Sequence, residues 1–369
     1  MATLYFHIPF CRKICTYCDF YKVGAVALLP RAVEMMHREL DARCAEIGDK
    51  PLTSIYFGGG TPSLLSPQDI EGLISHAHEL FDCSGVEEIT LEANPDDLTP
   101  EYVAELMTTS INRLSLGVQS FDDRVLEFMN RRHTAEEAER AVQRLREAGY
   151  DNLSIDIIFG IRGFEDTLPE TLRRAVALGV EHISAYHLTV EPATKLGVMV
   201  RQGEYTPIAD EESEAEYLAL HRIFTEAGYE HYEVSNYALP GRRAKHNSAY
   251  WTGVEYLGIG PGAHSFTGEE RRWCVSTAKQ YSEGDMRYEG EQLTATDRIN
   301  EYVMTSLRRV EGIDLDFVEC SFGARERRRI ERSAQPWIES GALRREGVRL
   351  AIPAESFLIS DAVIEALFA

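Results

Sequence analysis

The stretch HIPFCRKICTYCDF, residues 7–20, sets Cys11, Cys15 and Cys18 in a CxxxCxxC spacing. Three thiolates that close in sequence can seat a metal centre within one turn of chain. A structural zinc site is normally closed by four Cys or His side chains, and the nearest fourth candidates, His7 and Asp19, match poorly in type and spacing. The remaining cysteines, Cys44, Cys83, Cys274 and Cys320, stand singly. Disulfides fit no better: seven is an odd count, the chain is long, and its start lacks a signal-peptide pattern. Iron–sulfur chemistry fits the shortfall. A four-iron cluster gripped by three cysteines leaves one iron open to a small bidentate molecule.

A bound molecule needs further contacts, and candidates recur at the ends of apolar runs. GGGTPS (58–63) directly follows one run. Glycines there let backbone amides and carbonyls approach a ligand without Cβ obstruction, so Gly58, Gly59, Gly60 and Thr61 could hold an amino group. A tight turn would use the same residues. Glu92 lies near the end of the next run, where a carboxylate needs a partner, either a cationic ligand group or an arginine. Gln119 and Asp156 project from otherwise hydrophobic runs and suit ribose hydroxyls. Arg131, just past a helical segment, could fork onto a carboxylate. Taken singly, each fits a structural role equally well; their recurrence at successive run ends points to one site.

The elements that must position them are the runs TLYFHI (3–8), TSIYF (53–57), EEITLEA (87–93), INRLSLGV (111–118), NLSIDIIF (152–159) and EHISAYHL (181–188). They alternate with amphipathic segments at 28–46, 67–81, 100–109, 134–148 and 167–178. This alternation predicts parallel βα units and an α/β fold, a partial (β/α)6 barrel of TIM type. Chemistry in such barrels sits at the carboxyl ends of the strands, where every polar motif above falls. After about residue 290, helical segments at 297–310 and 324–339 precede the short strands ALRREG and VRLAIP and the closing LISDAVIEALF. That order suggests a small α+β winged-helix-like domain. The expected divisions are a core at 1–235, a connecting region at 236–290 and a C-terminal domain at 291–369.

With 369 residues the chain can bury one large and one small domain. Its 60 acidic against 38 basic residues, net −22, would repel a phosphate backbone, so nucleic acid is not an expected partner. No apolar run approaches the roughly 20 residues needed to span a bilayer. A cytoplasmic protein, with peripheral membrane contact allowed, is the expectation.

With Tyr17 before the last cysteine, CxxxCxxC resembles the signature of the radical S-adenosylmethionine (SAM) superfamily. The series YFHIPFCRKICTYCDF, YFGGGTPS, LEANPDDL, SLGVQSFDD, IDIIFG, YHLTVEPAT, YEVSNYA, HNSAYW and GIGPGAHS resembles the coproporphyrinogen-oxidase-like branch of that superfamily over essentially the whole chain. The resemblance implies a [4Fe–4S] cluster on Cys11, Cys15 and Cys18, with SAM on the open iron. It also implies Tyr5 beside the sulfonium and SAM contacts from Gly59, Gly60, Thr61, Glu92, Gln119, Arg131 and Asp156. Oxidases of the branch carry a further cysteine two residues beyond the third, where this chain has Phe20. They also resemble one another in an element ahead of the cysteines, for which Cys11 leaves no space.

KHNSAYW (245–251) resembles the HNxxYW motif of the branch's haem chaperones, which implies haem as a ligand and His246 as a haem-binding residue. Neutral imidazole is a common axial ligand, and Tyr250 and Trp251 could pack on a porphyrin face. Without the resemblance, the stretch reads as a turn after Pro240-Gly241 with a surface histidine. The expected function is a haem chaperone that binds cluster, SAM and haem and passes haem to acceptor proteins, membrane respiratory proteins among them, with a homodimer allowed. The alternative is an oxygen-independent coproporphyrinogen III oxidase, and a weaker third reading is a zinc-stabilised interaction protein.

Overall fold

The computed structural model describes residues 1–369. The six apolar runs become six strands: β1 Ala2–Ile8, β2 Leu52–Gly59, β3 Glu88–Ala93, β4 Arg113–Gln119, β5 Leu153–Phe159 and β6 His182–His187. They pair in parallel in that order. The helices Leu29–Arg43, Pro67–Leu80, Pro100–Leu106, Ala135–Ala148 and Leu168–Ala177 fall within the predicted segments and cover the outer face, which is why the strands can be almost continuously apolar. Local signals set the helix starts. Ser66, Thr99 and Thr134 cap theirs by accepting from the backbone N–H of Asp69, Tyr102 and Glu137.

The sheet extends past these six strands on both sides. β7 (Glu230–Glu233) and β8 (Asn236–Ala238) form a hairpin whose β8 runs antiparallel to β6. On the other side β9 (Glu255–Ile259) pairs in parallel with β1. An antiparallel wing follows: β10 His264–Phe266, β11 Glu270–Cys274 and β12 Tyr288–Gln292. The strand order is β12-β11-β10-β9-β1-β2-β3-β4-β5-β6-β8-β7, so the barrel is partial and open. It holds a seventh parallel strand that periodicity did not reveal. A buried polar seam holds β9 in place. Glu39 pairs with Arg43 at 2.7 Å, accepts from Gly260 N at 2.8 Å and from Tyr288 Oη at 2.7 Å, while Arg43 donates to Gly258 O at 2.9 Å. Each charge is thereby satisfied, the condition for burying it at tolerable cost.

The C-terminal part combines helices Ala295–Leu307, Leu315–Phe322, Ala324–Glu339 and Ser360–Leu367 with a small sheet of β13 (Ile313–Asp314), β14 (Arg344–Glu346) and β15 (Arg349–Ala351) in the order β13-β15-β14. It is stitched to the β7–β8 hairpin by Val234 N donating to Arg308 O at 2.9 Å and Val310 N donating to Tyr232 O at 3.2 Å. No helix is long and apolar enough to cross a membrane.

Candidate functional site

The cysteines occupy the loop after β1, at the carboxyl end of the parallel strands. The loop is anchored at both ends. Cys11 N donates to Val23 O (3.0 Å) and Val23 N to Pro9 O (2.7 Å). Its middle is clamped to the segment after β4: Thr16 N donates to Met129 O (3.1 Å), Thr16 Oγ1 to Phe128 O (3.1 Å), Lys13 Nζ to Arg131 O (3.1 Å) and Asn130 Nδ2 to Ile14 O (2.7 Å). Beneath it Tyr17 packs on a satellite core of Val125, Met129, Ile158, Ile161, Leu188 and Leu196.

Each cysteine meets a different neighbour. Thr61 Oγ1 donates to Cys11 Sγ at 3.5 Å, Arg131 Nη1 to Cys15 Sγ at 3.3 Å, and Lys22 Nζ to the Cys18 carbonyl at 2.5 Å. No three His, Cys, Asp or Glu side chains converge on one point as a single metal ion requires. The corners of a cluster need no such convergence. Burial pushes the Cys11 and Cys18 thiols up, against the pull of the Lys22 charge. Bound iron would reverse that balance and hold both as thiolates. With a hydroxyl and a guanidinium already aimed at sulfur, the donor set fits an iron–sulfur group.

The residues after β2 to β5 converge on the same mouth. Gly59 has φ 113, and a Cβ there would lie 2.8 Å from the His7 ring. A Cβ at Gly60 would meet Cys11 Sγ at 3.0 Å. Glycine at both lets the cysteine loop and the β2 loop touch. Glu92 accepts from Tyr56 Oη at 2.8 Å and from Gly59 N at 3.1 Å. Burial raises its carboxyl to about 7, against those two hydrogen bonds. Asp156 accepts from Ser115 Oγ at 3.4 Å, and burial raises it to about 6, opposed by Ser184 and the Arg113 charge.

Gln119 follows a register shift between β4 and β5 and sits at φ 67, a left-handed conformation that a non-glycine residue adopts at a cost of about 1–2 kcal/mol. Gly117 makes the approach feasible, since a Cβ there would stand 2.9 Å from Gln119 Nε2 and 3.1 Å from Arg131 Nη2. Arg131 donates through Nη2 to Asn94 Oδ1 and to Gly117 O, both at 2.6 Å, and its Nε has no partner. It bridges strand ends and cysteine loop together.

His246 lies elsewhere. The helix Lys245–Trp251 plugs the opposite, amino-terminal end of the barrel, its first amides donating to Glu88 at the start of β3 (2.9 Å each). The ring is fully buried, with Nδ1 2.8 Å from Ser54 Oγ, Nε2 3.0 Å from Tyr250 Oη, and Tyr56 packed at 4.8 Å between ring centroids. Burial lowers its pKa to about 3, helped by the Arg113 charge. Neither nitrogen is free, so the surface histidine of the bare motif reading is not what the fold builds. Iron ligation by His246 would require one of those hydrogen bonds to open and the buried ring to be uncovered. Tyr250 turns toward Tyr256, and Trp251 lies under the Arg308 guanidinium at 5.8 Å.

Several residues of the mouth escaped the motif reading, and His7 entered it only as a poor fourth metal ligand. Tyr5 Oη lies 2.9 Å from His7 Nδ1, and burial lowers His7 to about 4. Tyr56, Asn94, Ser115 and Ser184 also contact the named residues. Strand alternation signals two of them: His7 is two beyond Tyr5 and Asn94 two beyond Glu92.

Residues 5–175 match the family model of the radical SAM superfamily, and residues 293–359 match the HemN C-terminal domain. The chain is 34% identical to the heme chaperone HemW of Mycobacterium tuberculosis over 99% of this chain and 94% of that protein. It is 34% identical to heme chaperone HemW of Lactococcus lactis over 86% and 85%, and 33% identical to that of Escherichia coli over 84% and 83%. The solved structure of coproporphyrinogen III oxidase (HemN) from Escherichia coli, described as a radical SAM enzyme, superposes with a TM-score of 0.84 at 21% identity, covering 100% of this chain and 90% of that one. A mouth of three cysteines, a partial parallel barrel and this extent of shared sequence place the chain in the HemW family of the radical SAM superfamily.

Proposed function

We propose that the protein is a haem chaperone: it holds a [4Fe–4S] cluster on Cys11, Cys15 and Cys18, binds SAM across the strand ends, binds haem and passes it to acceptor proteins, membrane respiratory proteins among them. The observation that carries the reading is one-third identity to heme chaperones over nearly the whole chain. Phe20 adds to it. Its side chain is 70% exposed beside the cysteine loop, at the position where the oxidases resembled above carry a fourth cysteine.

In this reading Thr61 donates to a cluster thiolate, and Arg131, beside Cys15, takes the SAM carboxylate. Glu92 takes the amino group of SAM together with the Gly59–Gly60 backbone, and Asp156 and Gln119 take the ribose hydroxyls. Tyr5, braced by His7 and Tyr56, packs beside the sulfonium. When bound, cluster and SAM supply one-electron reductive chemistry. The likeness of fold to HemN favours one rival, an oxygen-independent coproporphyrinogen III oxidase. The deciding experiment offers the anaerobically reconstituted protein either coproporphyrinogen III with reductant and SAM, or haem followed by an apo-haemoprotein. Haem transfer without protoporphyrinogen formation is the expected result, and Phe20→Cys should not by itself create oxidase activity. Protoporphyrinogen formed by the unaltered protein would overturn the proposal.

A further inference from the structure

The haem reading leaves an iron ligand to be found, because His246 is sealed into the closed end. Two exposed histidines have the opposite surroundings, His78 on the outer helix Pro67–Leu80 and His264, and of these only His264 lies on the sheet. His264, at the start of β10, is exposed, its ring nitrogens have no partner within the chain, and it stacks on Trp273 with ring centroids 5.8 Å apart and planes at 21°.

Register places it on the barrel's own inner surface. β1 pairs Thr3 with Tyr256 and Tyr5 with Gly258, so Tyr256 shares the inward face of Tyr5. Phe266 pairs with Tyr256, Arg271 with Phe266, and Trp273 with His264. Paired residues share a face and next-but-one residues return to it. The inward lining therefore continues past β1 through Tyr256 and Phe266 to Arg271, His264 and Trp273.

Glycines bring this histidine to the mouth. A Cβ at Gly258 would lie 2.0 Å from the His264 carbonyl oxygen, and one at Gly260 (φ 113) 2.5 Å from the His7 carbonyl oxygen. At Gly262 (φ 85) it would meet the Tyr21 ring at 2.8 Å. Only side-chain-free backbone lets β10 fold back over β9 against β1 and the cysteine loop. His264 is close enough to His7 for its protonation to disfavour that of His7, and Phe20 and Tyr21 of the cysteine loop, the latter against Gly262, stand 70% and 37% exposed. Partial burial and the Arg271 charge both disfavour protonation of His264, which favours the neutral imidazole that iron requires. Arg271 commits one nitrogen to Glu301 at 2.9 Å while its Nε has no partner.

We infer that haem docks on the inward face of the β9–β11 wing, with His264 as its axial ligand, Trp273 stacked on that imidazole and holding it, and Arg271 toward a propionate. The inference rests on the haem-chaperone reading and adds the ligand and the face. Charge supports it, since a carboxylate-bearing ligand on a chain of net charge −22 needs a local cation.

The test titrates the full, anaerobically reconstituted chain with ferric haem and reads the Soret band. His264→Ala should move the band and weaken binding by about tenfold or more, and His264→Gly should regain the original band on adding imidazole. Arg271→Ala should weaken binding without moving the band. His246→Ala should keep the band wherever the folded protein persists, judged by its thermal transition and cluster iron. An unmoved band in both His264 variants, or its loss in a folded His246→Ala, would overturn the assignment while leaving haem binding itself intact. Absence of any haem binding by the unaltered chain would overturn the chaperone reading together with it.

Discussion

At the closed end of the barrel His246 and His182 have every ring nitrogen within hydrogen-bond distance of a hydroxyl, from Ser54 and Tyr250 in one case and Ser154 and Tyr232 in the other. At the mouth Arg131 keeps an unpartnered Nε, Gln119 is held at φ 67, and Glu92 and Asp156 are carboxyls pushed upward by burial. The same strands supply both ends, so the contrast comes from what covers them. The helix Lys245–Trp251 closes one end, where both histidines are satisfied while Arg113 Nε and Nη1 and Trp251 Nε1 stay unpartnered. The other is left to loops whose polar groups face inward, which is where a fold stores strain and unmet hydrogen-bonding capacity for a ligand.

The sharpest division should appear in the cysteines. Cys11→Ala, Cys15→Ala and Cys18→Ala should each abolish the roughly four irons per chain expected after anaerobic reconstitution, while chemical denaturation shows little loss of fold. Stoichiometric zinc without iron after strictly anaerobic purification would remove the distinction between the ends. His246→Ala should do the reverse. Loss of a buried ring with two hydrogen bonds should cost about 2–5 kcal/mol of stability, visible as a lower denaturation midpoint, with iron content unchanged in the folded fraction.

Asp156→Ala and Arg131→Ala should each weaken SAM binding by about 1.5–3 kcal/mol, measured calorimetrically on reconstituted protein with cluster absorbance retained. Unchanged affinity in both would show that the strand ends are structural.

The smallest effect is in pH, where the two ends act with opposite sign. Glu92 titrates at about 7 when folded, against roughly 4.3 for a free side chain. Between those values the folded state holds more protons, so its contribution to stability declines as pH rises from about 4 to 7. His246, at about 3 when folded against roughly 6.5 free, holds fewer. Its contribution is full above about pH 6.5 and is lost as pH falls toward 3. Glu92→Gln should therefore steepen the rise of stability between pH 4 and 6.5, by on the order of 1 kcal/mol, in urea titrations at stepped pH. An unchanged slope would mean that Glu92 is solvated in the free protein.

The six core strands and the helices between them were legible because their apolar periodicity is strong and their caps are local: Thr134 with Glu137, Ser66 with Asp69. The helices Ala295–Leu307 and Ala324–Glu339 and the hairpin β14–β15 also lie where the C-terminal pattern suggested. β9 was not legible. It is five residues long and carries a glycine at 258, and what makes it a strand is pairing with β1, some 250 residues earlier in the chain. Its neighbours Glu39 and Arg43 lie on a helix whose surface pattern gives no hint that a buried carboxylate will receive Gly260 N.

The candidate site divides in the same way. The chain alone determined that three cysteines crowd one loop, that glycines follow β2 and that polar residues end successive strands, because these are facts of spacing and strand alternation. It could not decide which end of the barrel a histidine would face. KHNSAYW and GIGPGAHS each offer one, and in sequence His246 has the aromatic company while His264 has only small residues. Tertiary structure reverses the surroundings. Helix docking onto Glu88 draws His246 into the closed end, whereas the close backbone contacts at Gly258 and Gly260 fold His264 against the mouth. Burial and exposure depend on which distant strands are neighbours, and that information resides in the packing of the barrel.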